Sequence, residues 1–342
     1  MKDVAELAGV STTTVSHVLN KTRYVDRTLV RRVETAVKTL GYQPNALARG
    51  LRRSETRMLG MVVPDNSNPY FAELARSIED ACFECDYNVI LCNSDEDPIK
   101  ERAYLSLLVE KRVDGIVFVA SGNDRSGVQA VLQQKIPLVV LDRELNGTKC
   151  DSIVVDNRPG ALRATQHLIL GNHQRIGCVC GPTNLTSARE RLQGYQDAFA
   201  KARLRLDPKW IQPGDFHIEG GYAAMQTLLD LPNRVTAVFA ANDLMAIGAL
   251  RAIAARGLRV PEDIAVVGFD GIALGRYAQP PLTTMAQPIR EIGKLATELV
   301  LSRVNGERKD PRTHRLETSL VVRTSCGITT EKSQSRKGVK NR

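Results

Sequence analysis

Long apolar runs are missing from this chain of 342 residues, although 43% of its residues are hydrophobic. No stretch approaches the roughly 18 consecutive apolar residues that a membrane-spanning helix requires. The chain also does not open with a basic segment followed by an apolar core, which is the pattern of a secretory signal peptide. We therefore expect a cytoplasmic protein with no membrane partner, long enough for two or three domains.

Catalytic and metal-binding motifs are absent as well. There is no GxSxG, no HExxH, no GxGxxG after a strand and no Walker lysine loop, and the five histidines show no metal spacing. The seven cysteines are odd in number, and the CxxC of Cys82 and Cys85 has no second pair at zinc spacing. We predict reduced thiols, no metal, no cofactor and no enzymatic activity.

The excess of positive charge is confined to the ends of the chain. The formal net charge is +9, from 47 Lys and Arg against 38 Asp and Glu. Residues 1–57 carry 11 basic and 5 acidic side chains and residues 331–342 carry 5 and 1, whereas the long middle stretch carries 31 and 32. A basic head on a neutral body indicates that the head binds phosphates while the body has another task.

Residues 1–43 show the pattern of three short helices. The first apolar stripe ends at Gly9, Ser11 can cap a second helix, Asp26 can cap a third, and Gly41 can end it. Two short helices joined by a glycine-containing turn are typical of a helix-turn-helix. The apolar stripes of the three helices are Val4, Leu7 and Ala8, then Val15, Val18 and Leu19, then Val30, Val33, Val37 and Leu40.

The second helix carries short polar side chains opposite its valines. Thr13, His17 and Asn20 share that face, with Thr12 at its N-terminal end. A recognition helix presents such residues to base edges in the major groove of DNA. The alternative is a helical hairpin with a purely structural role.

Residues 44–57 join this head to the rest of the chain. Leu47 and Leu51 lie one helical turn apart, but the segment is too short to be a stable helix by itself, and Gly50 weakens it further. It is either a plain basic linker or a hinge helix that forms when two copies pair on DNA. In the second case Leu51 is an apolar wedge in the minor groove, and Arg49, Arg52 and Arg53 meet phosphates or groove walls.

From Met58 onward, apolar strands alternate with amphipathic helices. Continuous apolar strands of this kind indicate parallel sheets buried on both faces, and about 270 residues favour two doubly wound lobes with a cleft. We predict a core over 58–326, with one lobe from 58–157 plus 288–316, the other from 158–287 plus 317–326, and a disordered basic tail over 327–342. The predicted strands are Met58–Val63, Val89–Cys92, Ile116–Ala120, Leu138–Leu141, Ile153–Val155, Ile176–Cys180, Val238–Ala241 and Ala265–Phe269.

Polar side chains follow several of these strands. Asp142, Asn242 and Asp270 come directly after strand ends, and ligands of open α/β sheets bind at such ends. Carboxylates, amides and arginines together with flat aromatic faces suit a small polyhydroxylated ligand such as a sugar. A single Asp in this position is more often a helix cap, so the prediction rests on the joint pattern.

Head, hinge and core together resemble the LacI/GalR family of bacterial repressors over residues 2–326. The resemblance implies a homodimer whose heads bind a pseudo-palindromic operator in double-stranded DNA. Two departures stand out: the family usually has a few more residues before the position of Asp3, and Gly50 replaces a better helix former. The positions that match DNA-contacting residues of the family are Thr12, Thr13, His17, Asn20, Arg23 and Leu51, with Arg49 and Arg52 beside the last.

The core further resembles ribose-binding receptors and ribose repressors of this family. That likeness implies D-ribose or a related pentose as the effector, although a purine-responsive member has the same fold. The purine-binding members carry Trp at the position of Arg143 and lack the arrangement that places Arg189 in the pocket. The positions that match the ribose site are Asn68, Tyr70, Phe71, Asp142, Arg143, Arg189, Phe216, Asn242, Asp270 and Gln287.

These features predict a ligand-responsive repressor in which effector binding changes the spacing of two hinge segments. A transport receptor lacks a DNA-binding head, and an enzyme of sugar or nucleoside metabolism needs catalytic groups that the sequence does not show. Whether the effector induces or co-represses is left open by the sequence.

We expect Leu51→Ala to weaken binding to the specific operator about tenfold while changing non-specific DNA binding little. Insertion of an apolar side chain between base pairs strengthens binding only where the central base steps deform easily. Competition binding with operator and random duplexes measures both affinities, and equal losses on the two would contradict the hinge interpretation.

Overall fold

The computed structural model describes residues 1–20, 23–42, 55–122, 124–142, 148–308 and 310–328. The chain divides into two compact units, Met1–Arg57 and Met58–Arg342. Arg49, Leu51, Arg52, Arg143 and the tail from residue 329 lie outside the described residues, so the predictions made for them stay predictions.

The described residues of the first unit, which contains the head, form three helices: α1 (Lys2–Ala8), α2 (Thr12–Asn20) and α3 (Arg27–Thr39). Gly9 ends α1 in the left-handed conformation with φ of 58°. The Ser11 Oγ accepts the backbone N–H of Thr14 at 3.0 Å, and the Asp26 carboxylate accepts that of Thr28 at 2.8 Å. Both predicted caps are therefore confirmed, because each satisfies an N–H at the open end of a helix.

The head core is smaller than the apolar stripes predicted. Leu7 is 54% exposed and Leu40 is 45% exposed, although both belong to the predicted apolar stripes. Ala5 and Ala36 are buried in addition to the predicted positions, since short helices that pack closely leave room for small side chains at their contacts. The buried hydrophobic residues in the described part of the head are Val4, Ala5, Ala8, Val15, Val33 and Ala36.

The second unit contains two six-stranded sheets. Sheet A has the order β2-β1-β3-β4-β5-β11 and is parallel throughout. Sheet B has the order β7-β6-β8-β9-β10-β12 and is parallel except for β12, which runs antiparallel to β10. The strands are β1 (Met58–Val63), β2 (Asn88–Asn93), β3 (Gly115–Val119), β4 (Leu138–Leu141), β5 (Asp151–Val155), β6 (Ile176–Cys180), β7 (Ile211–Pro213), β8 (Ala237–Ala240), β9 (Ala265–Asp270), β10 (Thr283–Ala286), β11 (Thr313–Leu316) and β12 (Ser319–Val321).

Helices connect these strands, as parallel pairing requires. Those of lobe A, built on sheet A, are α4 (Pro69–Glu84), α5 (Pro98–Glu110), α6 (Ser126–Gln133) and α11 (Ile289–Val304). Those of lobe B, built on sheet B, are α7 (Asn157–Leu170), α8 (Thr186–Ala202), α9 (Ile218–Leu229) and α10 (Asp243–Ala255). The predicted doubly wound fold is confirmed, and the central strands are almost entirely buried.

The chain passes between the lobes three times: from β5 into α7, from β10 into α11, and from β11 into β12. Asp156, at the first crossing, accepts hydrogen bonds from the backbone N–H and the hydroxyl of Thr318, at the third, at 2.7 and 2.8 Å. The Arg163 guanidinium donates to the Asp156 carboxylate and to the Thr318 carbonyl at 2.8 and 2.9 Å. These contacts hold two of the crossing segments side by side.

Close packing of α7 on α8 depends on Gly194. A Cβ at this position would lie 2.2 Å from the carbonyl oxygen of Arg158 and 2.9 Å from the backbone nitrogen of Leu162. Neither backbone atom can move without shifting α7, so the absence of a side chain sets the distance between the two helices.

We expect Gly194→Ala to lower the free energy of unfolding by about 1–3 kcal/mol, because it overpacks this contact. Urea unfolding measures the loss. The matched control is Gly122→Ala, where a Cβ would meet nothing within 4 Å. Equal stability of the two variants would show that α7 and α8 are not held at this distance.

Candidate functional site

The predicted recognition face of the head lies on α2. Thr12 and Thr13 are exposed at its N-terminal end, whereas His17 and Asn20 are half-buried. The Asn20 side-chain amide donates to the Ser16 carbonyl at 2.9 Å within its own helix. The head therefore presents two threonine hydroxyls outward, as a helix that reads the major groove requires.

Two exposed residues of the head, Arg23 and Tyr24, follow α2 in the sequence. Arg23 is exposed, as a phosphate contact would need, and Tyr24, which the sequence analysis missed, is 91% exposed. Arg32 donates to the Gly9 carbonyl at 3.2 Å and so ties α3 to the turn before α2. An exposed tyrosine beside an exposed arginine is a second candidate donor to DNA phosphates.

A cleft lies between the carboxyl ends of the two sheets. It is the position at which ligands bind in open α/β folds. Eight of the ten predicted ligand residues line it: Asn68, Tyr70, Phe71, Asp142, Phe216, Asn242, Asp270 and Gln287.

Arg189 was predicted to lie in the cleft, and the structure corrects this. The Arg189 side chain is exposed and donates to the carbonyls of Thr183 and Asn184 at 2.9 and 3.1 Å. Arg191, two residues further along α8, lines the cleft and is only 3% exposed. Positions two residues apart lie on different faces of a helix. Arg191 therefore faces the cleft, whereas Arg189 faces the solvent.

The Arg191 guanidinium forms the floor of the cleft. It donates to Asn157 Oδ1 at 2.8 Å, to the Ala241 carbonyl at 2.7 Å and to Asp270 Oδ1 at 3.0 Å. Its central carbon lies 3.8 Å from the centre of the Phe269 ring, a cation–π contact. Arg191 is thus fixed by three polar partners from separate segments and by one aromatic face.

Asp270 is almost fully buried beside Arg191. Burial raises the pKa of its carboxyl to about 6, against the lowering effect of the Arg191 charge. The carboxyl group accepts two hydrogen bonds from described residues, from Arg191 and from the Gln287 side-chain amide at 2.8 Å, and both end on Oδ1. Its second oxygen is therefore available to a ligand hydroxyl.

Tyr70 and Gln287 connect the two sides of the cleft. The Tyr70 hydroxyl donates to Gln287 Oε1 at 2.9 Å, and Gln287 donates in turn to Asp270. Burial raises the pKa of Tyr70 well above its usual value, so the hydroxyl stays protonated and acts as a donor. This chain of hydrogen bonds runs from α4 of lobe A through the second crossing to β9 of lobe B.

Phe216 presents a flat face from lobe B. Its backbone has a φ of 68°, a strained value for a residue with a side chain, and its carbonyl accepts the Asn242 amide at 2.8 Å. The ring lies against Gly181, where a Cβ would come within 2.3 Å of it. The cleft therefore combines aromatic faces with buried polar groups that have fixed directions.

Several residues line the cleft in addition to the predicted ligand set. They come from several kinds of segment: Pro64 and Asp65 follow β1, Ser187 lies on α8, and His217 directly precedes α9. These residues are Pro64, Asp65, Glu96, Ser121, Leu185, Ser187 and His217, in addition to Arg191.

Within the described part of the chain, no group of three or more His, Cys, Asp or Glu residues is arranged to hold a metal ion. A search of the same residues finds no helix with the length and apolar character needed to cross a membrane.

Two family models match this chain. Residues 1–45 match the bacterial regulatory proteins of the lacI family, and residues 165–326 match a periplasmic binding protein-like domain. The chain is 40% identical to the HTH-type transcriptional repressor PurR of Aliivibrio salmonicida over 326 residues, which is 95% of this chain and 98% of that protein. This chain belongs to the lacI family.

Two further comparisons agree with that assignment. The ribose operon repressor of Escherichia coli is 40% identical over 328 residues, covering 95% of this chain and 99% of that protein. The structure of the lac repressor dimer bound to operator and the anti-inducer ONPF matches with a TM-score of 0.86 at 28% identity, covering 95% and 98% of the two chains. This lacI-family protein is thus a DNA-binding transcriptional repressor with a small-molecule-binding domain.

We expect Arg191→Met to lower the free energy of unfolding of this repressor by about 3 kcal/mol at pH 8, because it leaves the Asp270 carboxylate buried without its cation. The loss should be smaller at pH 5, below the pKa of about 6 of Asp270, since the carboxyl is then neutral. Urea unfolding at both pH values measures it.

The matched control is Arg189→Met, which removes an exposed arginine from the same helix and should change stability little at either pH. A similar loss in both variants, or a loss for Arg191→Met that does not depend on pH, would contradict the role assigned to the buried pair.

Proposed function

We propose that this repressor binds a pseudo-palindromic operator as a homodimer in the cytoplasm and responds to D-ribose or a related pentose. The observation that carries the effector assignment is the floor of the cleft. There a guanidinium, a carboxylate and two amides are buried in fixed directions: Arg191, Asp270, Asn242 and Gln287. Ring hydroxyls both donate and accept, so they pair with such a set better than an apolar ring does.

Aromatic faces complete the proposed sugar site. Tyr70 and Phe71 pack edge to face with ring centres 5.1 Å apart on the lobe A side, and Phe216 lies on the lobe B side. Pyranose rings stack their C–H faces on such side chains. Arg143, which follows Asp142 in the sequence, would add a second cation. The name of the Escherichia coli relative agrees with ribose.

A purine is the second candidate effector. The same aromatic faces suit a planar base, and the Aliivibrio relative is called PurR. The polar floor favours the pentose, because several hydroxyls on one ring can both donate to and accept from these buried groups, whereas a base offers fewer such groups.

The homodimer is supported by exposed apolar residues on the core. Phe83 at the end of α4 is 80% exposed and Leu91 on β2 is 45% exposed, while Leu274 and Tyr277 in lobe B are 44% and 81% exposed. Phe83 and Leu91 line one surface depression, and a contiguous apolar patch of this kind suits a covering partner. We assign a second copy of this chain to that role, as the lac repressor dimer suggests.

Operator release would follow from a population shift. An effector held by both lobes favours one lobe geometry, and that geometry sets the spacing of the two hinge segments in the dimer. Hinges that cannot pair leave Leu51 outside the minor groove and lower operator affinity. An effector that favours the paired geometry would act as a co-repressor by the same linkage.

We expect calorimetry to show D-ribose binding to the full-length protein, with Arg143→Trp weakening it about 100-fold or more. The substitution removes charged hydrogen-bond donors and fills their space. Operator binding without effector should be unchanged in this variant, because the substitution lies outside the head.

Arg189→Met is the control, since the exposed Arg189 side chain should not matter for D-ribose. Titrations with other pentoses and with hypoxanthine run in parallel. Binding of hypoxanthine without binding of any pentose would show that the effector is a purine. Retained D-ribose affinity in Arg143→Trp would refute the pocket assignment.

A further inference from the structure

A contact between the lobes lies outside the floor of the cleft. The Glu73 carboxylate, on α4 of lobe A, accepts the backbone N–H of Ala273 in lobe B at 2.9 Å. Ala273 begins a short 3₁₀ helix that follows β9. Neither residue lines the cleft.

The lobe B side of this contact is held rigidly. The two preceding backbone N–H groups, of Gly271 and Ile272, donate to the Asp243 carboxylate at 2.8 and 2.9 Å. Asp243 is fully buried at the start of α10 and also accepts the Thr284 hydroxyl at 2.6 Å. Three successive N–H groups of lobe B thus donate to carboxylates. The first two donate to Asp243 of lobe B, and the third donates to Glu73 of lobe A.

An apolar contact accompanies the hydrogen bond. Ile272 and Leu244 belong to lobe B in sequence, yet they are part of the buried cluster formed mainly by lobe A. They are 1% and 8% exposed. On this side, therefore, the lobes are joined by a buried apolar patch sealed by a charge-assisted hydrogen bond. We call Glu73, Ala273, Ile272 and Leu244 the interlobe seam.

We propose that the interlobe seam is a latch that favours the closed arrangement of the lobes before any effector binds. A charged acceptor for a backbone N–H forms a stronger hydrogen bond than a neutral one, and opening the lobes on this side breaks it and exposes the apolar patch. The seam and the cleft then depend on the same closed geometry without sharing a residue. This assignment rests on the proposed function only for its link to effector affinity.

The latch predicts how effector affinity responds to Glu73. If only the closed protein binds the effector, the apparent affinity is proportional to the fraction of molecules that are closed. A substitution that lowers this fraction lowers the affinity by the same factor. We expect Glu73→Ala to reduce D-ribose affinity about three- to tenfold. Glu73→Gln keeps an acceptor oxygen but not the charge, so its affinity should lie between those of Glu73→Ala and the wild type.

Hydrogen–deuterium exchange tests the latch without any effector. In full-length protein, the peptide containing Ala273 should exchange faster in Glu73→Ala, and less so in Glu73→Gln, while peptides of the sheet B strands remain protected. The control is Glu262→Ala, which removes an exposed carboxylate elsewhere in lobe B and should leave exchange and D-ribose affinity unchanged. Unchanged exchange at Ala273 in Glu73→Ala would overturn the proposal.

D-ribose titration separates the latch from the effector assignment. Faster exchange together with weaker D-ribose binding supports the latch, and faster exchange with unaltered D-ribose affinity refutes it as a control of closure. If the wild type binds no D-ribose, the proposed effector fails, and the exchange rates of the two Glu73 variants still decide whether the latch exists.

Operator binding provides a third readout. Because effector and latch favour the same lobe geometry, Glu73→Ala should move the operator affinity of effector-free protein opposite to the direction in which D-ribose moves it. A shift in the same direction as D-ribose would overturn the proposal.

Discussion

The ligand-binding core depends on one buried cation. Arg191 sits at the base of the cleft and bonds to the start of α7, the end of β8 and the end of β9 through Asn157, Ala241 and Asp270. A guanidinium is suited to this place because its donors form a rigid planar fork and it stays charged when buried. Removing it from water is costly, so each of its partners must be present for the floor of the cleft to form.

Around this cation the two lobes are joined by different kinds of contact. A neutral hydrogen bond between Tyr70 and Gln287 connects them within the cleft. Asp156 and Thr318 hold the crossing segments together, and the interlobe seam joins the lobes on a separate side. Few buried contacts connect one lobe with the other compared with those inside each lobe. A small bound molecule that adds several hydrogen bonds can therefore shift the balance between lobe geometries.

How well the sequence predicted the site depended on the kind of residue. Asp142, Asn242 and Asp270 follow apolar strands directly, so a local pattern marks them, and the fold places all strand ends along one cleft. Arg189 was taken from the match to ribose-binding relatives, and neither spacing nor composition could show that the buried arginine of this helix is Arg191. Rim residues such as Glu96 and His217 lie in loops with no periodic pattern. The strands β7 and β12 were not predicted, because three residues are too few to show a periodic pattern.

The sequence by itself determined the local structure and the type of protein: helix caps at Ser11 and Asp26, the alternation of apolar strands with helices, and the basic head before a neutral core. These features depend on neighbours along the chain, where spacing and residue type decide the outcome. Only the tertiary structure decided which arginine is buried under the cleft and that Glu73 meets the backbone of Ala273, 200 residues away. Such contacts depend on how two lobes pack, and nearest neighbours in the sequence carry no information about that.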